Sequence, residues 1–322
     1  MKTQLKGRKA ALVCWLLAGL MLFATSAVAK EIAVLLPAAG APYFKMKSYG
    51  YLDEAKKLGV TVNIYDAGGY GNLNKQITQL EDVIQRKVSA IVLVPASSTG
   101  TVPAVEKAIA AGIPVINDGI ATASPKVTGF VGEDSYVMGE LQALHIADKL
   151  KGEGKVVMLL GPAGLDLTNF RKDGFKDYLS RFPKMKIVAE KYMDTTAAEA
   201  LKAMEDFLQA NPDIKGVYTF NGPLVVGAVQ ALRARGAKPG DVIVTSLDLE
   251  EEADRLIRQG WLSMTVVSEP ITMARLAIRR AVEASEGKKI PKESLTQETM
   301  VTKDTIDTVD LTGQWVPKDW GK

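Results

Sequence analysis

Cysteine and histidine are nearly missing from this chain. Its 322 residues include one cysteine, Cys14, and one histidine, His145. Cys14 lies inside an early apolar run, and no Leu-Ala-Gly-Cys pattern surrounds it that would mark a lipid anchor. Without further thiols, disulfides, thiolate nucleophiles and Cys-ligated zinc are excluded. A Ser-His-Asp triad would have to recruit the single imidazole, and no Gly-x-Ser-x-Gly elbow supplies the nucleophile. His145 sits between Leu144 and Ile146 in a helical pattern and reads as a structural residue. With no nucleophile, acid-base pair or metal set, no enzyme and no cofactor is expected.

Excess charge of one sign is also lacking. Residues 1–29 carry basic Lys2, Lys6, Arg8 and Lys9, an apolar run over 10–23 and the small-residue exit Ala27-Val28-Ala29, the three parts of a secretory signal. The apolar run is too short to span a bilayer, which takes about 20 residues. Cleavage after Ala29 and a periplasmic location are expected. The mature chain would hold 36 basic against 37 acidic residues. That balance offers no field for nucleic acid or a membrane surface.

What is present is alternation. Short Val/Ile/Leu-rich runs, at 32–36, 60–66, 90–94, 114–117 and 127–131, are separated by longer stretches of helical period. After the polar turn at 151–154 a second series follows, at 156–160, 187–192, 216–219, 242–247 and 262–267. Buried strands alternating with helices are the signature of parallel βαβ units. Gly59 and Gly112 each stand where a helix C-cap belongs, directly before a strand. The fold class is therefore α/β, with two doubly wound, Rossmann-like halves, since 293 residues exceed what one core usually holds.

Open α/β sheets bind ligands at the carboxyl ends of their strands. Pro42-Tyr43-Phe44 falls in the exit loop of the first strand, and Asp118, Asn221 and Asp248 fall at three other strand tips. Arg171 opens a helix after a fifth. Asn and Asp are also ordinary turn residues and N-caps, and Arg171 has surface partners in reach at Asp173 and Asp177. Taken together, aromatic faces with a few carboxylates and one guanidinium suit a neutral polyhydroxylated ligand, whose C–H faces stack while its hydroxyls pair. Gly161-Pro162-Ala163-Gly164 lacks the Gly-Lys-Ser/Thr ending of a phosphate loop. Glu250-Glu251-Glu252 reads as a solvated helix start.

In order along the chain, Pro42-Tyr43-Phe44, Gly112-Ile113-Pro114-Val115-Ile116, Gly132-Glu133-Asp134, Arg171 with Asp173-Gly174-Phe175, Asn211-Pro212-Asp213 through Asn221, Ser246-Leu247-Asp248 and Ser268-Glu269-Pro270 resemble the motifs of the periplasmic ribose-type sugar-binding proteins. The resemblance implies the type I periplasmic binding protein fold, two lobes joined by a multi-crossover hinge. One lobe would comprise 30–134 plus 269–296, the other 135–268 plus 297–322. It further implies an ABC importer component, monomeric, that closes on a sugar, polyol or similar small polar solute and delivers it to a permease. Tyr43, Phe44, Asp118, Arg171, Asn221, Asp248 and Ser268 would hold the ligand. Three positions depart from the pattern: Ala41 replaces a frequent Asn, Gly119-Ile120 stand where Asp-Arg is usual, and Thr195 replaces an aromatic. Ala67-Gly68-Gly69-Tyr70 with Asn72, Leu73, Lys75 and Gln76 is closer to the periplasmic partners of trimethylamine-N-oxide sensor kinases. A sensory module docked on a histidine kinase is thus the alternative expectation.

Overall fold

The computed structural model describes residues 30–320; the expected signal and its cleavage site lie outside the described residues. In the first half, β1 (Glu31–Leu36), α1 (Pro42–Leu58), β2 (Thr61–Asp66), α2 (Leu73–Gln85), β3 (Ala90–Leu93), α3 (Val102–Ala110), β4 (Val115–Asp118) and β5 (Gly129–Gly132) alternate as expected. The second series is α4 (Ser135–Lys149), β6 (Glu153–Leu160), α5 (Asp166–Leu179), β7 (Lys184–Tyr192), α6 (Ala197–Ala210), β8 (Ile214–Thr219), α7 (Gly222–Ala234), β9 (Ile243–Leu247), α8 (Glu251–Arg258) and β10 (Met264–Val267). Then come α9 (Pro270–Ser285), β11 (Glu293–Leu295) and β12 (Thr299–Thr302).

Two six-stranded sheets result, ordered β11-β5-β4-β3-β1-β2 and β12-β10-β9-β8-β6-β7. Every pairing is parallel except β10 with β12. The central strands are apolar along their length because helices cover both faces: Ile32 to Leu36 of β1 and Val156 to Leu160 of β6 are fully buried. In each sheet the order reverses beside the first strand of its series, β1 or β6, and the crevice at such a switch point is where α/β sheets take ligands.

The chain passes between the sheets three times, at 133–134, 268–269 and 296–298, so α9 and β11 return to the first lobe. α9 packs along α1 and against β3, β4 and β5. At the second passage Glu269 adopts a left-handed backbone, φ 53°, directly before Pro270. A non-glycine residue there is uncommon and marks a bend imposed by its surroundings. The two edge strands β11 and β12 carry no periodic signal strong enough to read from three and four residues.

Beyond β12 the chain does not trail off as a surface extension of one lobe. Ile306 is buried in the second lobe and Arg258 of α8 holds Asp307, while Trp320 packs edge-on against Tyr49 of α1, ring centroids 5.6 Å apart. The segment therefore touches both lobes.

Candidate ligand-binding site

The Pro-Tyr-Phe segment is not an exit loop. It forms the first turn of α1, with Pro42 at N1 and Ala41 at the N-cap contributing no side-chain cap bond. Proline is well tolerated there because the N–H it lacks would be unpaired anyway. Tyr43 and Phe44 are thereby fixed on a helix at the tip of β1, edge to face at 5.4 Å. Phe44 meets a further ring, Tyr70, at 6.5 Å. Tyr70 reaches this place from the loop after β2, which Gly68 and Gly69 turn at positive φ of 88° and 147°.

Asp118 ends β4 fully buried, and both its oxygens are engaged by α1. Lys47 Nζ lies 2.5 Å from Oδ1, and the Tyr51 hydroxyl donates to Oδ2. Lys47 and Tyr51 are four residues apart and so share one helix face. The ammonium also donates to Met273 Sδ of α9 at 2.9 Å. A buried carboxylate needs such partners to remain charged.

Arg171 is buried and pairs not with Asp173 or Asp177 but with Glu133, at the first passage between lobes, Nη2 to Oε1 2.7 Å. It lies inside α5 rather than at its start, and its guanidinium stacks 4.8 Å from the Phe220 ring centre. Its position depends on a close helix contact. A side-chain carbon on Gly139 of α4 would collide with the Arg171 carbonyl, and one on Gly174 of α5 with the Tyr136 carbonyl. Only glycine allows α4 and α5 to approach this far. Burial disfavours the charged guanidinium, yet Glu133 and Asp248 more than compensate and raise its pKa. Arg171 Nε and Glu133 Oε2 are buried without partners among the described residues.

The second lobe adds Asn221, whose side chain caps α7 by accepting from Leu224 N, and Asp248, held at a positive φ of 67° after β9. Asp248 is pushed up to about 7, chiefly by burial and further by Glu133, against the lowering influence of Arg171 and Lys47. Glu250 caps the start of α8 by position and is 8% exposed, so it is not the solvated residue its acidic run implied. Burial, with Asp248 nearby, pushes it up to about 8.

Tyr43, Phe44, Asp118, Arg171, Asn221 and Asp248 line one cavity of about 100 Å³ between the lobes. Ser268 does not line it; its buried hydroxyl has no partner among the described residues, though it is near enough to Asp248 to counter part of that carboxyl's upward shift. Tyr70, Glu133, Phe220 and Glu250 also line the cavity and were not singled out from the sequence as ligand contacts. Phe220 directly precedes Asn221 at a strand tip, and Glu133 lies in the crossover motif, so both had a legible position. Glu250 and Tyr70 did not, because nothing local distinguishes a buried member of an acidic run or a loop tyrosine. Ala41, Gly119, Ile120 and Thr195, where the sequence departs from the sugar binders, face the same space.

Ser98 N donates to Gly164 O at 3.4 Å and Asp166 N to Ser98 Oγ at 3.1 Å, so the Gly-Pro-Ala-Gly turn joins the first lobe to the second. His145 stands apart from the cavity, its Nε2 2.7 Å from Ser263 Oγ, with a pKa pushed down to about 4 by burial.

Two parallel-sheet lobes, joined by three crossings and facing each other over a small cavity walled by aromatic and a few buried charged side chains, define a bilobed solute-binding protein. The chain belongs to the periplasmic binding protein family: a model described as periplasmic binding protein domain matches residues 32–289. It is 34% identical over 251 residues to the ribose import binding protein of Bacillus subtilis, covering 78% of this chain and 80% of that one. It is 32% identical over 284 residues to the D-allose-binding periplasmic protein of Escherichia coli, covering 85% and 91%. A solved structure of a carbohydrate transporter solute binding protein from Agrobacterium radiobacter, in complex with D-arabinose, superposes with a TM-score of 0.84 at 27% identity, covering 88% of this chain and 97% of that one. The type I periplasmic binding protein fold and the ribose-type branch are both shown by these likenesses.

Proposed function

We propose that this protein is exported to the periplasm, closes its lobes on a small uncharged polyhydroxylated solute and presents it to an ABC permease. The observation that carries the reading is the composition of the cavity wall. Its fixed charges come in compensated pairs, Lys47 with Asp118 and Arg171 with Glu133. The two remaining acids, Asp248 and Glu250, are pushed up to about 7 and about 8. An anionic ligand entering such a wall would be left without a counter-charge, at a high desolvation cost. A hydroxylated one can accept from Arg171 Nε and donate to Glu133 Oε2, two groups that have no partner among the described residues.

The volume supports a compact ligand. The cavity measures about 100 Å³, against roughly 150 Å³ for an engineered cavity that takes benzene. A short polyol is favoured over a hexopyranose. The rings of Tyr43, Phe44, Tyr70 and Phe220 around so small a space favour one second reading, a methylated amine oxide sensed on behalf of a histidine kinase.

Thermal shift of residues 30–322 with glycerol, erythritol, D-ribose, D-allose, myo-inositol and trimethylamine N-oxide tests both. A ligand at a hundredfold excess over its Kd stabilises by about 2.7 kcal/mol. A shift with the polyols or pentose supports the importer reading, a shift with the N-oxide alone transfers support to the second, and no shift with any overturns both.

A further inference from the structure

The segment after β12 makes contacts that the ligand cavity does not require. Its root is on the second lobe, through Ile306 and the 2.8 Å pair of Arg258 Nη1 with Asp307 Oδ1. It then passes the hinge, where Ile271 N donates to Gly313 O at 3.0 Å and a side chain on Gly313 would collide with the Thr272 hydroxyl. The next residue, Gln314, is fully buried between the lobes. One of its amide protons goes to Leu249 O at 2.7 Å and the other to Met46 Sδ at 3.4 Å. The far end rests on Tyr49 through Trp320.

The two partners of Gln314 belong to opposite walls of the site. Leu249 stands between Asp248 and Glu250, and Met46 lies one helical turn beyond Tyr43, on α1. Both bonds of a single amide can exist together only while the lobes keep this separation. The other half of the amide argues that packing is not the purpose, since Oε1 is buried with no partner among the described residues. An apolar side chain of the same length would avoid that penalty but leave the buried Leu249 carbonyl unpaired in its place, so the net change is the lost bonds.

We propose that residues 312–320 are a strap across the cleft, with Gln314 as a positioning residue that holds the 248–250 wall against α1 and biases the lobes towards closure. The proposal rests on the opening and closing of the lobes described above, and its test uses no ligand, so an empty ligand screen leaves it untouched. Hinge closure around a ligand is the motion common to periplasmic binding proteins, and a strap tied to both walls acts directly on it. Loss of one buried hydrogen bond shifts a two-state equilibrium by about fivefold.

Residues 30–322 contain no cysteine, so Gln85→Cys on α2 and Lys202→Cys on α6, both exposed and one on each lobe, give a unique spin-label pair. Double electron–electron resonance on the unliganded protein reads the closed and open populations as short and long distances. With Gln314→Met, which keeps the volume and removes the bonds, the open-to-closed ratio should rise about fivefold. Trp320→Ser, which frees the strap's outer end without touching a buried group, should move it the same way, and serves alone if the Gln314 variant does not fold. Equal populations in wild type and variant, or a wild type with no closed population, overturn the proposal.

Discussion

Replacing Arg171 by methionine would leave Glu133, whose side chain is 2% exposed, as an uncompensated carboxylate at the first crossover. Breaking a buried pair by removing one member costs about 3–5 kcal/mol, whereas replacing both members by neutral groups is often close to neutral. For a protein of this size that is a fall in melting temperature of roughly 6–15 °C, at about 2–3 °C per kcal/mol. Adding Glu133→Gln to Arg171→Met should recover most of the loss, since the amide carries no charge to strand. Urea unfolding of wild type, the two single variants and the double variant measures the cycle without any ligand. An Arg171→Met protein within about 1 kcal/mol of wild type, or a double variant no more stable than it, would refute the assignment of this pair as a mutually dependent buried charge pair. One consequence is practical: a loss of binding in an Arg171 variant has to be separated from the accompanying loss of stability.

The raised acids give a second expectation. Asp248 and Glu250 keep their protons to about 7 and about 8 in the folded protein but lose them near 4 when unfolded, so their contribution to stability declines as pH rises from about 4 and is gone above about 8. His145, pushed down to about 4, works in the opposite sense, but only below its unfolded value near 6.5. Between pH 6.5 and 8 the acids act alone, and the unfolding midpoint should fall; Glu250→Gln should flatten that fall, and a midpoint that rises across the interval contradicts the burial argument. Gly174→Ala should destabilise by about 1–3 kcal/mol through overpacking of α4 against α5. Because the same contact places Arg171, tryptophan fluorescence titration with whichever solute the screen identifies should also show weaker binding, and a variant of unchanged stability would mean the helices can separate freely.

Much of this architecture was legible because its signals are local. A run such as Ile32 to Leu36 can be a strand buried on both faces whatever surrounds it, and Gly59 ends a helix by its own φ of 66°. The rule that ligands gather at the carboxyl ends of parallel strands then placed Asp118, Asn221 and Asp248 together without reference to contacts. Other features were not legible, for a physical reason. Whether Arg171 meets a neighbour on its own helix or Glu133 across the hinge depends on how far Gly139 and Gly174 let α4 and α5 approach. The acidic run gave no sign that Glu250 alone would be buried, and the first turn of α1 looked like a loop because proline usually marks one.

By itself, then, the sequence determined the alternation of strands and helices, the two doubly wound halves and the tips from which polar groups project, since each follows from the period and propensity of a short segment. Only the tertiary structure decided which of those groups face the same 100 Å³ and which are neutralised within the protein, as Asp118 is by Lys47 and Tyr51. The same holds for the return of the chain's last residues across the cleft. Charge compensation and closure are properties of pairs brought together from distant parts of the chain, and no local pattern encodes the distance between them.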